Sequence, residues 1–372
     1  MNVKNRNGSL DLLKIIAIFF IILHHYALWS GWNFEEGFHF NKWVAQSLLI
    51  GGKLGVNLFV MITGFFMIKS KPKVKSLFTI WVETTIICLL VYLCILLFKI
   101  HGQTFTWNVF IKRAFPVIFG QYWFVTTYTL LYFCIPLLNI IINKLKYLES
   151  RFLLLFFFFV FSIYPFIFYN KGLTFSFPIW FFFLYFAGAY IRINEEKIAN
   201  ISMTIISCFG IIILLLSLII NGCLMVAFAH PNWEITRIVK FLEWNETVFY
   251  TRDASPLMFI LAIIIFISFL RINIKGNKFL SFVSRASFGV YLLQSSPWFS
   301  TEFLWPELIN GVRFDSGLMI GLWGVCSAIM IYLAGLVIYI FLLPIIKMTV
   351  IIFNPALLWM QNKFDELRDL NG

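Results

Sequence analysis

The sequence predicts an all-α membrane protein, a polytopic bundle of about ten transmembrane helices. Of its 372 residues, 61% are hydrophobic and only 12% are charged, whereas a soluble globular chain carries about 25% charged residues. The mean hydropathy is +0.88. Apolar runs of about 20 residues, the length that a helix needs to cross the hydrocarbon core, follow one another along the chain. Soluble enzymes, disordered proteins and DNA-binding modules are therefore excluded, and nucleic acid is not an expected partner.

Ten apolar runs fit this length. They lie near 11–31, 46–68, 77–99, 121–142, 152–169, 176–192, 201–221, 254–270, 286–301 and 317–346. The ninth is short for a span, and the tenth is long enough to tilt, or to end at Pro344 and continue along the surface. Because neither an internal repeat nor a low-complexity linker is found, the sequence predicts a single domain over residues 1–372. Its longest outer loop is expected at about 222–253 and its tail at about 347–372.

The basic residues indicate the orientation of this bundle. If the N-terminus is cytoplasmic, 19 of the 29 Lys and Arg residues fall on the cytoplasmic side, as the positive-inside rule requires. These residues are Lys4, Arg6, Lys14, Lys69, Lys71, Lys73, Lys75, Lys144, Lys146, Arg151, Arg192, Lys197, Arg271, Lys275, Lys278, Arg285, Lys347, Lys363 and Arg368. Both termini are therefore expected in the cytoplasm.

Two connections on the outer side are longer than turns. The stretch from Thr106 to Gly120 is aromatic and basic, which indicates an interfacial or re-entrant segment. Between Trp233 and Trp244, apolar positions alternate with charged ones, a pattern typical of a short amphipathic helix on the membrane surface. A simple lid over the bundle explains the same residues. The six cysteines show no CxxC or zinc-type spacing, so neither a disulfide framework nor a metal site is expected.

The first apolar run carries the densest set of ionisable groups, and such groups inside a span are functional candidates. Lys14 and His25 are eleven residues apart, which places them about 20° apart on one helix face and about 16 Å apart along the axis. Asp11 belongs to the same polar stripe, whereas His24 points about 100° away from His25. An imidazole at His25 can act as base, acid or nucleophile near neutral pH. The alternative is a hydrogen bond to another helix, which is common for polar residues in bundles.

The second and third runs add glycines, lysines and one acid. The glycines from Gly51 to Gly64 permit close helix approach, and Lys53 can extend its charge towards the outer surface. Glu83 is a buried acid that we interpret first as structural, and we expect it to pair with Lys14. Alternatively, it lines the channel. A basic cluster on the inner side meets anionic lipid or, alternatively, holds the phosphates of a cytoplasmic cofactor. The candidates for phosphate binding are Lys69, Lys71, Lys73, Lys75 and, at the inner end of the ninth run, Arg285.

Aromatic and amide side chains at the fourth and ninth runs complete the candidates for the channel or substrate site. Tyr122 and Trp123 fit either an aromatic belt at the interface or a channel wall. Tyr291 and Gln294 lie deeper in the ninth run. Gln294 is expected at the depth of His25, where it either faces that residue or hydrogen-bonds another helix.

Four segments in this order resemble the acyltransferase-three family of integral-membrane O-acyltransferases. The first is a Leu-Asp-x-Leu-(Arg/Lys)-x-x-Ala run followed by a histidine, here 10–17 and then His25. The second is Gly-Val-x-x-Phe-x-x-x-(Ser/Thr)-Gly-Phe, here 55–65. The others are Tyr-Trp-Phe at 122–124 with Pro136, and Ser-Phe-Gly-Val-Tyr-Leu at 287–292. The resemblance spans nearly the whole chain.

The resemblance implies transfer of an acyl group, usually acetyl from cytoplasmic acetyl-CoA, to a sugar hydroxyl of a cell-surface or lipid-linked glycan. The implied location is the cytoplasmic membrane of a bacterium. The family's key histidine corresponds to His25 and its basic partner to Lys14, with Asp11 in the same motif. The chain has Lys14 where arginine is usual, Gln294 where histidine is usual, and only the lysines of 69–75 where an arginine-rich motif is usual. Acetyl-CoA, the glycan and membrane lipid are the implied partners, a homodimer is compatible with them, and no metal is implied.

Two chemical routes and two competing functions stay open at this point. CoA would dock at the positive cytoplasmic face and extend its pantetheine arm towards His25. His25 then either deprotonates the sugar hydroxyl or accepts the acetyl group before passing it on. The competing functions are a non-catalytic exporter or transporter of a surface polysaccharide and a structural partner of a polysaccharide synthase. A transporter is typically built with broken helices in paired halves, and no such pairing is found.

Overall fold

The chain is an all-α bundle in a computed structural model that describes residues 8–169, 172 and 174–369. Lys4 and Arg6, which were counted for the orientation, lie outside the described residues. The α-helices of the described part are α1 Gly8–Trp29, α2 Phe40–Ser47, α3 Ile50–Met67, α4 Val74–Leu97, α5 Trp107–Ala114, α6 Trp123–Lys144, α7 Tyr147–Phe158, α8 Tyr164–Ile167, α9 Phe177–Ile193, α10 Glu195–Ala199, α11 Met203–Phe228, α12 Glu234–Phe241, α13 Val248–Thr251, α14 Pro256–Arg271, α15 Lys278–Gln294, α16 Gly317–Ile352 and α17 Asn354–Asp369.

Seven helical stretches in the described part are long and apolar enough to cross a membrane. They are Gly8–Trp29, Phe40–Met67, Val74–Leu97, Trp123–Lys144, Tyr147–Ile167, Met203–Phe228 and Gly317–Ile352. Two shorter apolar helices, α9 and α14, accompany them. The predicted all-α, multi-pass membrane bundle is thus confirmed, while the total of ten spans and the cytoplasmic position of both termini stay predictions.

The outer surface of the bundle is apolar, as a lipid-facing surface requires. On α11, Ile205 and Ile211 are exposed, and on α16 Leu333 and Phe341 are exposed. In water, contiguous apolar patches of this kind are rare on monomeric proteins, whereas in lipid they are the favoured surface. Glu83 and Gln294, described below, are buried inside this apolar shell.

Helix α3 lies at the centre of the bundle and packs against α1 on one side and α9 on the other. A β-carbon at Gly55 would overlap the carbonyl oxygen of Ala17, and one at Gly64 would overlap the carbonyl oxygen of Tyr185. Gly188 of α9 approaches the backbone of Met61 equally closely. The prediction that the glycines of the second run allow close helix approach is confirmed, since any side chain at these positions would push the backbones apart.

The predicted bounds of the ninth run, 286–301, are wrong. Helix α15 begins eight residues earlier, at Lys278, where the side chain of Asn277 caps it by accepting a hydrogen bond from the backbone N–H of Leu280. The helix ends at Gln294, and the chain turns through Trp298, which has a φ of +66°. A π-helical segment, Phe299–Ile309, follows. The first half of α15 contains polar residues, so it was not recognised as part of an apolar run. Capping and packing nevertheless make it helical.

Two helices continue beyond the ends predicted for their apolar runs. Helix α16 passes through Pro344 to Ile352, so it does not end at the proline, and the first residues of the tail predicted from about 347 are helical. Neighbouring helices and local adjustment re-satisfy the backbone groups that a proline frees within a membrane helix. Helix α11 likewise extends to Phe228, which shortens the outer loop predicted for 222–253.

The two longer connections predicted on the outer side both contain a short helix. Helix α5 occupies most of the first half of the aromatic and basic stretch 106–120, and none of its residues is buried. The predicted amphipathic helix is confirmed as α12, which buries Thr236 and Val239 and exposes Ile235 and Ile238.

Candidate active site

A cavity of about 410 Å³ surrounds the predicted catalytic histidine, and we call it the histidine cavity. It is lined by Ile21, His24, His25, Leu28, Trp29, Gly52, Lys53, Val56, Gln121, Tyr122, Trp123, Phe177, Asp253, Tyr291, Ser295, Ser296, Pro297, Ser300 and Thr301. Helices α1 and α3 supply one wall, and the start of α6 and the end of α15 supply others. A pocket of this size, with apolar walls and a few convergent polar groups, is typical of small-molecule binding sites.

The imidazole of His25 is held from two sides. Its Nδ1 lies 2.6 Å from Oε1 of Gln294, which is 1% exposed, so the predicted approach of Gln294 to His25 is confirmed. The amide nitrogen of Gln294 donates to the hydroxyl of Ser295 over 2.7 Å, which orients the amide. A carbonyl oxygen only accepts hydrogen bonds; Nδ1 of His25 therefore carries the hydrogen, and Nε2 of the neutral ring is the basic nitrogen. The indole of Trp29 stacks on the same ring at 4.0 Å between centroids.

His24 has a different environment from His25. Its Nδ1 lies 2.8 Å from the carbonyl oxygen of Leu49 in the turn before α3. A β-carbon at Gly52 would overlap the His24 ring, so the ring lies directly against α3. His24 lines the histidine cavity, but these contacts also tie α1 to α3.

An ion pair joins two elements across the histidine cavity. The ammonium group of Lys53, on α3, forms a salt bridge with the carboxylate of Asp253, in the segment before α14. The two side chains are 19% and 31% exposed. The ammonium group of Lys53 is therefore paired with a carboxylate inside the cavity, and the two charges largely neutralise each other there.

A second cavity, of about 760 Å³, contains the predicted basic partner of the histidine, and we call it the cationic cavity. It is lined by Lys14, Phe59, Lys75, Ser76, Thr79, Ile80, Glu83, Phe124, Val125, Tyr128, Phe282, Ser284, Arg285, Phe288, Tyr339, Leu343, Ile346, Lys347, Val350 and Ile351. Its four basic side chains come from three different parts of the chain: α1, α4 and the α15–α16 pair. Converging cations of this kind favour phosphate and carboxylate ligands.

The polar groups of the cationic cavity have distinct contacts. Lys75 Nζ donates to Asn354 Oδ1 over 3.0 Å, and Lys14 Nζ lies 5.7 Å from the ring centroid of Phe66. The carboxylate of Glu83 accepts a hydrogen bond from the hydroxyl of Tyr339 over 2.7 Å. Glu83 is thus anchored to α16, and its pairing with Lys14 stays a prediction although both line the same cavity.

The structure separates residues that the sequence grouped. Of the four clustered lysines, Lys75 alone lines the cationic cavity, while Lys69, Lys71 and Lys73 do not. The backbone N–H and carbonyl of Lys73 instead hydrogen-bond the hydroxyl of Tyr132, over 2.8 and 3.0 Å. Asp11 is buried near the start of α1 and lines neither of the two cavities.

Aromatic side chains form the partition between the two cavities. Phe124 lines the cationic cavity and Tyr291 lines the histidine cavity, and their ring centroids are 5.6 Å apart. Phe59 and Tyr128 flank Phe124 at 5.5 and 6.0 Å. Tyr122 is fixed beside them because its hydroxyl donates to the carbonyl oxygen of Leu292 over 3.2 Å. The walls of the cavities thus touch within the bundle, with Lys14 on one side and His25 on the other.

Several residues of these cavities were missed in the sequence, and some had a readable signal. Trp29 follows His25 by four residues, a spacing that places both on one helix face. Lys347 had been counted only as a charge that orients the chain. Asp253 and Tyr339 had no local signal, since their partners lie 200 and 256 residues away in the chain.

The structure thus places a cavity with four basic side chains beside a cavity that contains His25. In comparison with known proteins, the acyltransferase-3 family model, described as "Acyltransferase domain", matches residues 7–349. No curated protein and no solved structure matches the chain.

Proposed function

The chain belongs to this acyltransferase family, and from that premise we propose that it transfers an acetyl group from cytoplasmic acetyl-CoA to a sugar hydroxyl of a surface or lipid-linked glycan. The observation that carries the proposal is the pair of cavities whose walls meet at Phe124 and Tyr291. One cavity presents four cations and the other presents a histidine, so donor and acceptor have separate, adjoining sites on opposite sides of a thin aromatic partition.

The cationic cavity is the proposed donor site, on the cytoplasmic side. CoA carries phosphates, and Lys75, Arg285 and Lys347 are exposed around the cavity, where charge-assisted hydrogen bonds to phosphate oxygens form. Lys14 lies deeper and is half-buried. Beyond it the walls become aromatic and apolar, which suits the thin pantetheine arm and places the thioester towards the partition.

The histidine cavity is the proposed acceptor site and contains the base. Nε2 of His25 removes the proton from the sugar hydroxyl, the oxygen attacks the thioester carbonyl, and the C–S bond breaks to release CoA as a thiolate that takes up a proton. In the second route, Nε2 attacks the thioester carbonyl first and the C–S bond breaks to release CoA thiolate. The sugar oxygen then displaces the imidazole from the acetyl group, and the freed Nε2 takes up the hydroxyl proton and passes it to the thiolate. Both routes require the tautomer of His25 with its hydrogen on Nδ1, which the hydrogen bond to Gln294 stabilises.

Membrane vesicles from producing cells test the proposed function. With acetyl-CoA labelled in the acetyl group, we expect label to enter the surface glycan as an alkali-labile ester in wild-type vesicles and not in vesicles from a deletion strain. Glycan that crosses the membrane without acquiring label would contradict the proposal and favour an exporter. Label found on the protein itself when the acceptor is omitted would support the route through acetyl-histidine.

The contact between Gln294 and His25 leads to a separate prediction. Gln294→Ala leaves the ring without its acceptor, so we expect kcat to fall about tenfold, equivalent to about 1.4 kcal/mol, with the KM for acetyl-CoA unchanged. Gln294→Glu keeps an acceptor oxygen on Nδ1 and should retain more activity than the alanine variant. Steady-state kinetics of both variants check this; equal losses in the two would show that the hydrogen bond does not position the ring.

A further inference from the structure

A third cavity, of about 440 Å³, adjoins the histidine cavity, and we call it the loop cleft. The two share Phe177 and Asp253 as lining residues, so the cleft lies directly beside the proposed acceptor site. The cleft lies between the end of the α7–α8 span and the segment from Glu243 to Ala254 that precedes α14. Nothing in the proposed transfer step uses this space.

The cations at the loop cleft are already held by the protein. Arg252 donates from Nη1 to the carbonyl oxygen of Phe166 over 2.6 Å and from Nη2 to the carbonyl oxygen of Glu243. Its guanidinium lies 4.4 Å from the ring centroid of Tyr169. At the shared boundary, Lys53 forms its salt bridge with Asp253. The cleft is therefore poorly suited to a phosphate-rich ligand, in contrast to the cationic cavity.

The other polar groups of the cleft suit a ligand with many hydroxyls. The carboxylate of Glu243 accepts hydrogen bonds and the amide nitrogen of Asn245 donates them, while the Asn245 oxygen already accepts from Thr247 and the Thr251 hydroxyl donates to the Thr247 carbonyl oxygen. Glu243 and Asn245 are exposed. Phe177 adds an aromatic face at the boundary, on which the C–H face of a pyranose ring can stack, and its own ring contacts Trp123 at 4.5 Å. Aromatic faces combined with hydroxyl-binding groups are suited to uncharged sugars and not to lipid tails.

Building on the proposed function, we propose that the loop cleft binds a second sugar unit of an uncharged glycan whose neighbouring unit is acetylated in the histidine cavity. The acceptor is then an oligosaccharide or polymer segment instead of a single sugar. The shared residues Phe177 and Asp253 place the two units side by side. The specificity of the enzyme for its acceptor would thus depend on residues outside the catalytic helix α1.

Binding measurements on the purified full-length protein test this proposal without requiring turnover. The probes are neutral fragments of the surface glycan of the producing cells, sorted into one, two and three sugar units, together with a phosphate-bearing fragment of two units. We expect affinity to rise about five- to tenfold from one unit to two, the gain from one or two added hydrogen bonds. The double variant Glu243→Ala, Asn245→Ala should reduce that gain to less than about twofold, since it removes those bonds.

The control is Lys240→Ala, an exposed residue of α12 that does not line the cleft, and it should keep the wild-type dependence on length. Affinity that does not change with length, a gain that persists in the double variant, or tighter binding of the phosphate-bearing fragment would each overturn the proposal. The binding assay measures occupation of the cleft without requiring acetyl transfer. Failure of the labelled acetyl transfer in vesicles would therefore count against the proposed function and not against the cleft. Unfolding temperatures of all variants show whether they are folded.

Discussion

Replacing His25 with alanine is expected to lower the rate of acetyl transfer by about 10²- to 10⁴-fold, the contribution of a positioned general base. A larger loss is expected if the imidazole carries the acetyl group, because the variant then lacks the nucleophile as well as the base. The KM for acetyl-CoA should change little, since the donor's phosphates bind in the other cavity. Release of CoA thiol by purified protein, with and without the glycan acceptor, measures both quantities.

A matched control for this variant is His230→Ala. His230 is exposed, stacks on Trp233 at 4.3 Å, and lies outside the histidine cavity. Its loss removes the same chemical group and should leave transfer unchanged. His25→Asn, which keeps a polar side chain beside Gln294, guards against a folding defect in the alanine variant. Full activity in either His25 variant would mean that His25 is not the catalytic base.

Removing Lys75 and Lys347 together is expected to weaken acetyl-CoA binding by about 100-fold or more. A hydrogen bond to a charged group contributes about 1.5–3 kcal/mol, so each lysine that contacts a phosphate accounts for about tenfold or more in affinity. The effect should be seen in the KM for acetyl-CoA, while kcat at saturation falls little. Raising the ionic strength should weaken wild-type binding and affect the double variant less, because salt screens exposed charges.

Lys71→Ala is the control for charge alone. Lys71 belongs to the same basic cluster as Lys75 but does not line the cationic cavity. It should leave the KM for acetyl-CoA within about twofold, as expected for an exposed charge outside the site. If Lys71→Ala weakened binding as much as Lys75→Ala, the cluster would act through its general positive potential at the membrane surface, and the assignment of individual cations to the cavity would be wrong.

The sequence was most informative where one helix carries several of the candidate residues. Helix α1 is continuous from Gly8 to Trp29, so the angular relation of Lys14 and His25 follows from helix geometry alone. The structure places these two residues in adjoining cavities, as a stripe leading into the bundle predicts. The depth of Gln294 was also predictable, because it follows from counting residues along a span.

The sequence was least informative about which lysines of a basic cluster face a ligand and which face lipid headgroups. The four lysines from Lys69 to Lys75 look equivalent in the sequence. They differ because Lys75 lies on α4, which packs beside α16, whereas Lys69, Lys71 and Lys73 precede that helix. Similarly, the first half of α15 was not predicted as part of a span, because its polar residues interrupt the apolar run. The length of an apolar run is a poor guide to a helix that buries polar groups.

The sequence by itself determined the membrane environment, the helical class, the polar stripe of α1 and, through four ordered motifs, the family resemblance. These depend on composition and on spacing within single helices, which physical rules translate directly into geometry. Only the tertiary structure decided that Gln294 and Trp29 hold His25, that Glu83 is anchored by Tyr339, and that Lys53 pairs with Asp253. Apart from the Trp29 stacking, these contacts join residues about 200 or more positions apart, and their formation depends on how the helices pack, which no local pattern encodes.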